Sequence, residues 1–304
     1  MYDLAIIGAG PAGLSASVYA SRYGMKNVII GEIPGGLPNE THEIGNWLGT
    51  PKISGYEFSQ KALEHAKSLD GSLITAKVDQ IIKQDGNFEI LLSNGEKIKA
   101  KAILLAMGTR HRRLGIPGEK DFFGRGVSYC ATCDGFFYKG KIVAVVGGND
   151  SAAQAAVYLA DTAQKVYLIY RRDKIRAEEF WVKSIEKNPK IEVIYNTNLR
   201  EIRGERKLSE IVLDNPYRNS EILAIDGLFI EVGLEPNADL TRNLSIDLDE
   251  EKHIKIEANG RTNVRGVWAA GDITNGSDKF KQIVTAAAEG AIAVRSIQQY
   301  LKNN

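Results

Sequence analysis

Cysteine is almost missing from this chain: among 304 residues there are only Cys130 and Cys133, with Ala131 and Thr132 between them. So few exclude a framework of stapling disulfides, which spreads its cysteines over distant elements. A structural zinc site is also excluded, because it normally needs four ligands and no second cysteine pair exists. Histidine is scarce too, and His42, His65, His111 and His253 are scattered without the spacing of metal ligands. An excess of either charge is lacking: Lys and Arg number 39 against 38 Asp and Glu, a formal net charge of +1. There is thus no general electrostatic attraction to nucleic acid or to an anionic membrane. No apolar run approaches the ~20 residues that span a bilayer. Met1 leads directly into a strand-like pattern, without the basic region or cleavage site of a secretory signal. Together these absences suggest a cytoplasmic protein. What remains is ordinary for a globular enzyme, with 43% hydrophobic and 25% charged residues, and the length leaves room for two domains of about 150 residues each.

Glycine is placed with more pattern than any other residue. Asp3–Ile7 reads as a short apolar strand, Gly8-Ala9-Gly10-Pro11-Ala12-Gly13 as a turn, and Leu14 to about Tyr23 as a helix. Val28–Ile30 closes a β-α-β unit, the context that a dinucleotide fingerprint requires. Gly8 permits the tight turn, Gly10 lets a pyrophosphate approach the backbone, and Gly13 lets helix and strand pack closely. The helix start offers free N–H groups and a partial positive charge to phosphates. The competing reading is a plain Gly-rich turn.

The pattern returns in the middle of the chain. Lys141–Val146 reads as a strand, Gly147-Gly148-Asn149-Asp150-Ser151-Ala152 as the turn, Ala153–Ala160 as a helix and Lys165–Tyr170 as the next strand. Asn149 stands at the second glycine position and Ala152 at the third. Alanine is a common variant there. Asn tolerates positive φ better than other side chains, but it could crowd a pyrophosphate. The two units differ where the second strand meets an adenosine ribose. Glu32 suits free ribose hydroxyls in the first, whereas Arg171, Arg172 and Arg176 suit a 2′-phosphate in the second. The first cradle therefore suits FAD and the second NADPH, unless the arginines are a solvated helix start.

A third signal lies near the C-terminus. Gly266–Asp272 reads as a short strand ending in Gly271-Asp272, followed by a polar loop and a helix from about Gln282 to Leu301. Asp272 could accept from a flavin ribityl hydroxyl, and the helix start at Lys281 and Gln282 could face the flavin's pyrimidine edge. Read alone, Asp272 is equally a turn or N-cap residue. Ala102–Thr109 is another buried strand, ending at Gly108. The expected fold is α/β, with two Rossmann-like nucleotide-binding domains, the NADPH domain inserted into the FAD domain. The boundaries read as 1–112 and 243–304 for the FAD domain and 113–242 for the NADPH domain. Gly115–Gly118 and Gly233–Pro236 carry turn chemistry and would be the two connections.

The cysteine pair falls inside the inserted domain. At a helix start, both thiols of a CxxC lie where N–H groups favour the thiolate, and the pair can cycle between disulfide and dithiol. Asp134 follows directly and could give or take the proton. Two inert core cysteines, or half of an intermolecular metal site, are the alternatives.

Taken in order, these motifs resemble the low-molecular-weight thioredoxin reductase family over essentially the whole chain. The resemblance rests on Gly8–Gly13, Gly35-Gly36-Leu37 with Asn46-Trp47, Cys130–Asp134, Gly147–Ala152, Arg171–Ala177, Ala270–Asp272 and Lys281-Gln282. It implies a homodimer whose subunits each hold FAD and bind NADPH, with two domains that rotate about their connections. Electrons would pass from NADPH through the flavin and the Cys130–Cys133 disulfide to thioredoxin or a thioredoxin-like protein. Cys133 would face the flavin, Cys130 would attack the partner, and Asp134 would move the proton. The implied FAD contacts add Val78 and Gly108 to the residues already named, and Ile283 beside Lys281 and Gln282. The chain departs from the family at Pro38, where the flavin loop lacks its usual Gln. It departs also at Asn149, at Tyr170 in place of a His, and at Lys281-Gln282-Ile283 in place of Arg-Gln-Ala. The change at Asn149 leaves room for another electron donor, ferredoxin or a reduced deazaflavin, or for a dithiol oxidase. A flavin-bound redox sensor or scaffold is the non-enzymatic reading.

Overall fold

The computed structural model describes residues 1–41, 44–84 and 86–303; His42 lies outside the described residues. The chain is a mixed α/β protein of two compact units, one made of Met1–Arg110 and Glu235–Asn304, the other of His111–Leu234.

The first unit begins with β1 (Tyr2–Ile7), α1 (Pro11–Arg22), β2 (Asn27–Ile30), α2 (Gly55–Ser68) and β3 (Ser72–Ile74). It continues through β4 (Val78–Gln84), β5 (Asn87–Leu92) and β6 (Lys97–Leu105) to the first crossing at β7 (Thr109–His111). Its sheet runs β3-β2-β1-β6-β5-β4, and the strand Val267–Ala269 adds to β6. β6 thus pairs with β1 along one edge and has two successive partners along the other. Its first half pairs antiparallel with β5, Phe88 opposite Ala100, and its second half pairs parallel with the late strand, Ala269 opposite Leu105. Burial changes with the partner: Lys97–Lys101 alternates exposed and buried, whereas Ala102–Leu105 is buried throughout. A strand covered on both faces has no polar side to keep.

Period-two alternation in β1 divides the core of this unit. Leu4 and Ile6 pack with α1 and the C-terminal helix on one face, and Ala5 and Ile7 pack with Phe88, Ile103 and Leu105 on the other. α1 starts at Pro11, earlier than Leu14, because proline at the first helical position sacrifices no hydrogen bond and already has a helical φ.

The second unit holds β8 (Val127–Ser128), α3 (Ala131–Asp134), β9 (Ile142–Val146), α4 (Asp150–Thr162), β10 (Lys165–Ile169), α5 (Glu179–Lys187) and β11 (Ile191–Ile194). It closes with β12 (Leu199–Gly204), β13 (Leu208–Tyr217), β14 (Ser220–Ala224) and β15 (Gly227–Ile230). Five strands form a sheet in the order β11-β10-β9-β15-β8, and β12-β13-β14 form a small antiparallel one. The pairings of β9 with β10 and β15, and of β10 with β11, are parallel. The apolar runs Ile142–Val146 and Gly227–Ile230 are what such doubly covered strands require. α4 starts at Asp150 rather than Ala153, because Asn149 caps it.

The chain returns through β16 (Leu234–Pro236), which pairs with β7 in a two-stranded ribbon. β17 (Val267–Ala269) and α6 (Ile283–Lys302) complete the first unit. α6 crosses α1 at Gly290, where a Cβ would sit 2.2 Å from the Ala12 carbonyl oxygen. Trp268, fully buried below this crossing, donates its indole N–H to Ser296 Oγ at 3.0 Å. No helix among the described residues is long and apolar enough to cross a membrane.

Candidate active site

In the first unit, the turn from β1 to α1 forms a cradle with a glycine at each contact. Gly8 has φ 119° and donates its N–H to Ile30 O at 2.7 Å, tying the turn to β2. A Cβ on Gly13 would lie 2.0 Å from Gly8 O, so the helix can sit this close to the strand only without a side chain there. Gly10 differs. It has an ordinary φ of −85°, and a Cβ built on it meets nothing nearer than Gly36 Cα, at 3.9 Å. Nothing in the protein itself demands glycine at 10; a ligand lying against it would. Gly10 also brings no side chain to cap α1, and Pro11 brings no N–H. The first-turn amides of Ala12 and Gly13 are left for an anion, as a pyrophosphate site requires.

Three distant segments are brought to this cradle. Gly35 donates its N–H to Ala9 O at 2.8 Å and Gly36 packs on Gly10, which sets the Gly35-Gly36-Leu37 loop beside the helix start. Gly271, with φ 81°, packs on Ala12 and Ala286, so Asp272 enters next to the first turn of α1. Asn46 donates Nδ2–H to Gln282 Oε1 at 2.9 Å, joining the loop before α2 to the start of α6. Gln282 also forms a reciprocal cap with Thr285, and Ile283 is the first residue of the helix. Asp272, Lys281 and Glu289 line one small cavity between the Gly271-Asp272 turn and α6. Burial pushes the Asp272 carboxyl up to about 6, against the pull of nearby Lys281 and with the push of Glu289. Glu32 is exposed just past β2. Gly108 has φ 58° and accepts from Asn237 N–H, whereas Val78 is packed into the hydrophobic core.

The second unit repeats the construction with one substitution. Gly147 has φ 148° and donates its N–H to Ile169 O at 3.1 Å. Asn149 precedes α4 with φ −98° and ψ −176°, close to the −85° and −173° of Gly10 before α1. The positive φ that would have favoured Asn is therefore not used. Its side chain turns back on the helix, Oδ1 accepting from Ala152 N–H at 3.1 Å. An amide that a glycine would leave to a phosphate is already occupied. Asp150 accepts from Glu178 N–H at 2.7 Å, and Ser151 is exposed on the first turn of α4. Arg176 N–H donates to Gly148 O at 2.7 Å, which brings the arginine loop onto the cradle. The Arg171, Arg172 and Arg176 side chains are exposed and have no side-chain partner among the described residues. Tyr170 is buried with its ring against Gly148, and its hydroxyl has no partner among the described residues.

In the same unit, Cys130 and Cys133 form a disulfide across the start of α3, with Cα atoms 5.3 Å apart. Cys130 is the N-cap, and Cys133 N–H donates to its Sγ at 3.0 Å. Ser128 fixes the approach, its Oγ accepting from Cys130 N–H at 3.0 Å. Gly135 lets the turn lie against Tyr158 and Leu159 of α4, the helix whose N-terminus carries the cradle. Cys133 is exposed, and Cys130 and Asp134 are half-buried. Just beyond them, Phe136 and Phe137 stand 75% and 67% exposed. Neither they nor Glu289 stood out in the motif reading. Two adjacent aromatics after a CxxC were the available signal for the first, and nothing local marks the second.

Two dinucleotide cradles and a disulfide at a helix start, with Cys133 exposed, define a nucleotide-dependent disulfide oxidoreductase. The family model described as pyridine nucleotide-disulphide oxidoreductase matches residues 2–290. The chain is 39% identical to a thioredoxin reductase of Bacillus subtilis over 306 residues, covering 99% of this chain and 95% of that one. It is similar to the crystal structure of the Lactococcus lactis thioredoxin reductase, with TM-score 0.94, 36% identity and all of both chains covered. It is also similar to a ferredoxin-flavin thioredoxin reductase from Clostridium acetobutylicum, with TM-score 0.54, 32% identity and 100% and 99% of the chains covered. The chain belongs to the pyridine nucleotide-disulphide oxidoreductase family and, within it, to the low-molecular-weight thioredoxin reductases. Membership assigns it FAD and NADPH as cofactors. The side-chain-free approach at Gly10 and the uncapped start of α1 fit the first of these, and the unpartnered arginines beside Gly148 fit the second.

Proposed function

We propose that this protein is a thioredoxin-disulfide reductase, carrying reducing equivalents from NADPH through FAD to Cys130–Cys133 and on to thioredoxin or a thioredoxin-like protein. The observation that carries the reading is the Cys130–Cys133 disulfide, set at a helix start on the flank of α4 with Cys133 exposed. FAD would be held by Gly8–Gly13, the Gly35–Leu37 loop, Asp272 and the start of α6, and NADPH by Gly147–Ala152 with Arg171, Arg172 and Arg176. Bound there, the two cofactors supply the electron pair that opens the disulfide.

The rest is thiol chemistry of this chain. Once the dithiol exists, the Cys133 amide favours negative charge on Cys130 Sγ, which supports Cys130 as the attacking thiolate. Cys130 would attack one sulfur of the partner's disulfide, making a mixed disulfide and expelling the other partner sulfur as thiolate. Cys133 would then attack Cys130, re-forming the internal disulfide and releasing the partner with both its sulfurs reduced. Asp134, which follows Cys133 in the chain, would take the Cys133 proton and return it to a departing thiolate. Phe136 and Phe137 offer an apolar contact beside the exchanging sulfurs, the aromatic kind that anchors protein interfaces. Homodimer assembly belongs to the same reading and rests on the family resemblance, and a cytoplasmic location goes with it as the expectation from the sequence.

One observation favours a second reading, in which ferredoxin or a reduced deazaflavin replaces NADPH, or the enzyme runs as a dithiol oxidase. It is the Asn149 side chain on Ala152 N–H, which removes a phosphate-binding amide. Anaerobic stopped-flow mixing with NADPH decides between them. The first reading expects rapid bleaching of the flavin and reduction of the disulfide to the dithiol, and an unbleached flavin at ordinary NADPH concentration selects the second.

A further inference from the structure

We propose that Glu289 is a positioning residue of the flavin site: its carboxylate holds the Gly271–Ser277 turn against α6 and so sets where Asp272 presents its carboxyl group. The inference rests on the reading of the first cradle as the FAD site. Glu289 lies on the face of α6 that looks onto the turn, and its two oxygens accept three hydrogen bonds from it. Oε2 accepts from Gly271 N–H at 2.8 Å and from Thr274 Oγ1–H at 2.9 Å, and Oε1 accepts from Ser277 Oγ–H at 2.6 Å. Hydrogen bonds to an ionised acceptor are roughly twice as strong as neutral ones, and three on one carboxylate bind the turn at its beginning, middle and end. The chain makes room for this clasp at Gly276, where a Cβ would fall 2.6 Å from Glu289 Oε1.

The bond to Gly271 is the important one, because Gly271 directly precedes Asp272. Gly271 is pressed between Ala12 and Ala286, and Gly290 brings α6 down onto the Ala12 carbonyl. The Asp272 backbone is therefore held from α1 on one side and by Glu289 on the other. Thr274 and Ser277 would otherwise find water or their own backbone, and a turn tethered only by its glycine would let Asp272 drift from the cradle. Glu289 also acts through its charge. The groups that face Asp272 are Lys281, which favours its carboxylate, and Glu289, which favours its protonated form. Position and protonation of Asp272 are thus both under the control of a residue in the second turn of α6.

The test is FAD binding to apoprotein, followed by fluorescence from pH 5 to 8, for the unaltered chain, Glu289→Ala and Glu289→Gln. Glu289→Ala removes the clasp, and FAD affinity at pH 8 should fall roughly tenfold or more. Glu289→Gln keeps shape and an acceptor but removes the charge. Its affinity should lie between the other two, and the acidic limb, where binding weakens as Asp272 takes up a proton, should move to lower pH. A merely structural role would leave that limb in place. If Glu289→Ala does not fold, the limb of Glu289→Gln decides alone. Apoprotein that takes up no FAD overturns the flavin reading and the inference together. Apoprotein that takes up FAD, with both variants matching it in affinity and pH limb, overturns the role of Glu289 only.

Discussion

Gly10→Ala and Gly13→Ala separate the glycine that a ligand needs from the glycine that the fold needs. A Cβ at 13 would fall 2.0 Å from Gly8 O and 3.2 Å from Ile6 Cγ2. Gly8 is anchored to Ile30, so its backbone carbonyl cannot give way cheaply. Overpacking of this kind costs ~1–3 kcal/mol and occasionally more, and a contact this short against backbone belongs at the top of that range. At 10, the nearest atom is 3.9 Å away and the backbone angles are open to any residue. Losing glycine there reduces the freedom of the unfolded chain, a gain of ~0.4–1 kcal/mol, against the loss of a better N-cap of similar size. The apoprotein should change by less than about 1 kcal/mol. With FAD bound, the same methyl enters the space of the pyrophosphate, and a penalty of ~1–3 kcal/mol weakens binding about 5- to 150-fold. Urea unfolding of the apoproteins measures the first pair of effects, and fluorescence titration with FAD the second. Gly10→Ala binding FAD as tightly as the unaltered protein, or unfolding as readily as Gly13→Ala, would refute the assignment of the cradle.

Three further predictions follow from the sites. Asn149→Gly releases Ala152 N–H to a phosphate; the KM for NADPH should fall severalfold, with only a few tenths of a kcal/mol lost from stability, and an unchanged KM shows that the cap does not limit donor binding. Arg171→Ala with Arg172→Ala should raise KM for NADPH far more than for NADH, since each contact to a 2′-phosphate is worth about 1.5–3 kcal/mol; equal effects on both nucleotides contradict the assignment. In the apoprotein, Asp272 has its carboxyl raised from 3.8 to about 6, so the folded state holds the proton more tightly and loses stability as pH rises through that window. The loss totals about 3 kcal/mol above pH 6. Asp272→Asn should therefore match the unaltered apoprotein near pH 4 and exceed it by about that amount at pH 8 in urea unfolding; parallel profiles at both pH values would show that Asp272 is not desolvated.

What the sequence determined by itself is whatever is local along the chain. Both cradles were legible because a strand, a glycine turn and a helix start occupy consecutive residues, and their spacing alone places N–H groups at one point. The α/β class and the redox pair were legible for the same reason, since Cys130 and Cys133 meet across a single helical turn. The consequence of Asn149 was only half visible: its place in the pattern was plain, but capping Ala152 rather than pointing outward is a rotamer decision, taken when α4 forms. Other features required the tertiary fold. Asn46 reaches Gln282, Gly271 rests on Ala12, and Glu289 clasps the turn that carries Asp272 only because α6 packs across α1 at Gly290. No spacing rule connects such residues, and the close approach that joins them exists only once the apolar faces of the two helices are buried together. The raised Asp272 carboxyl has the same origin, since desolvation belongs to the assembled site and to no residue alone.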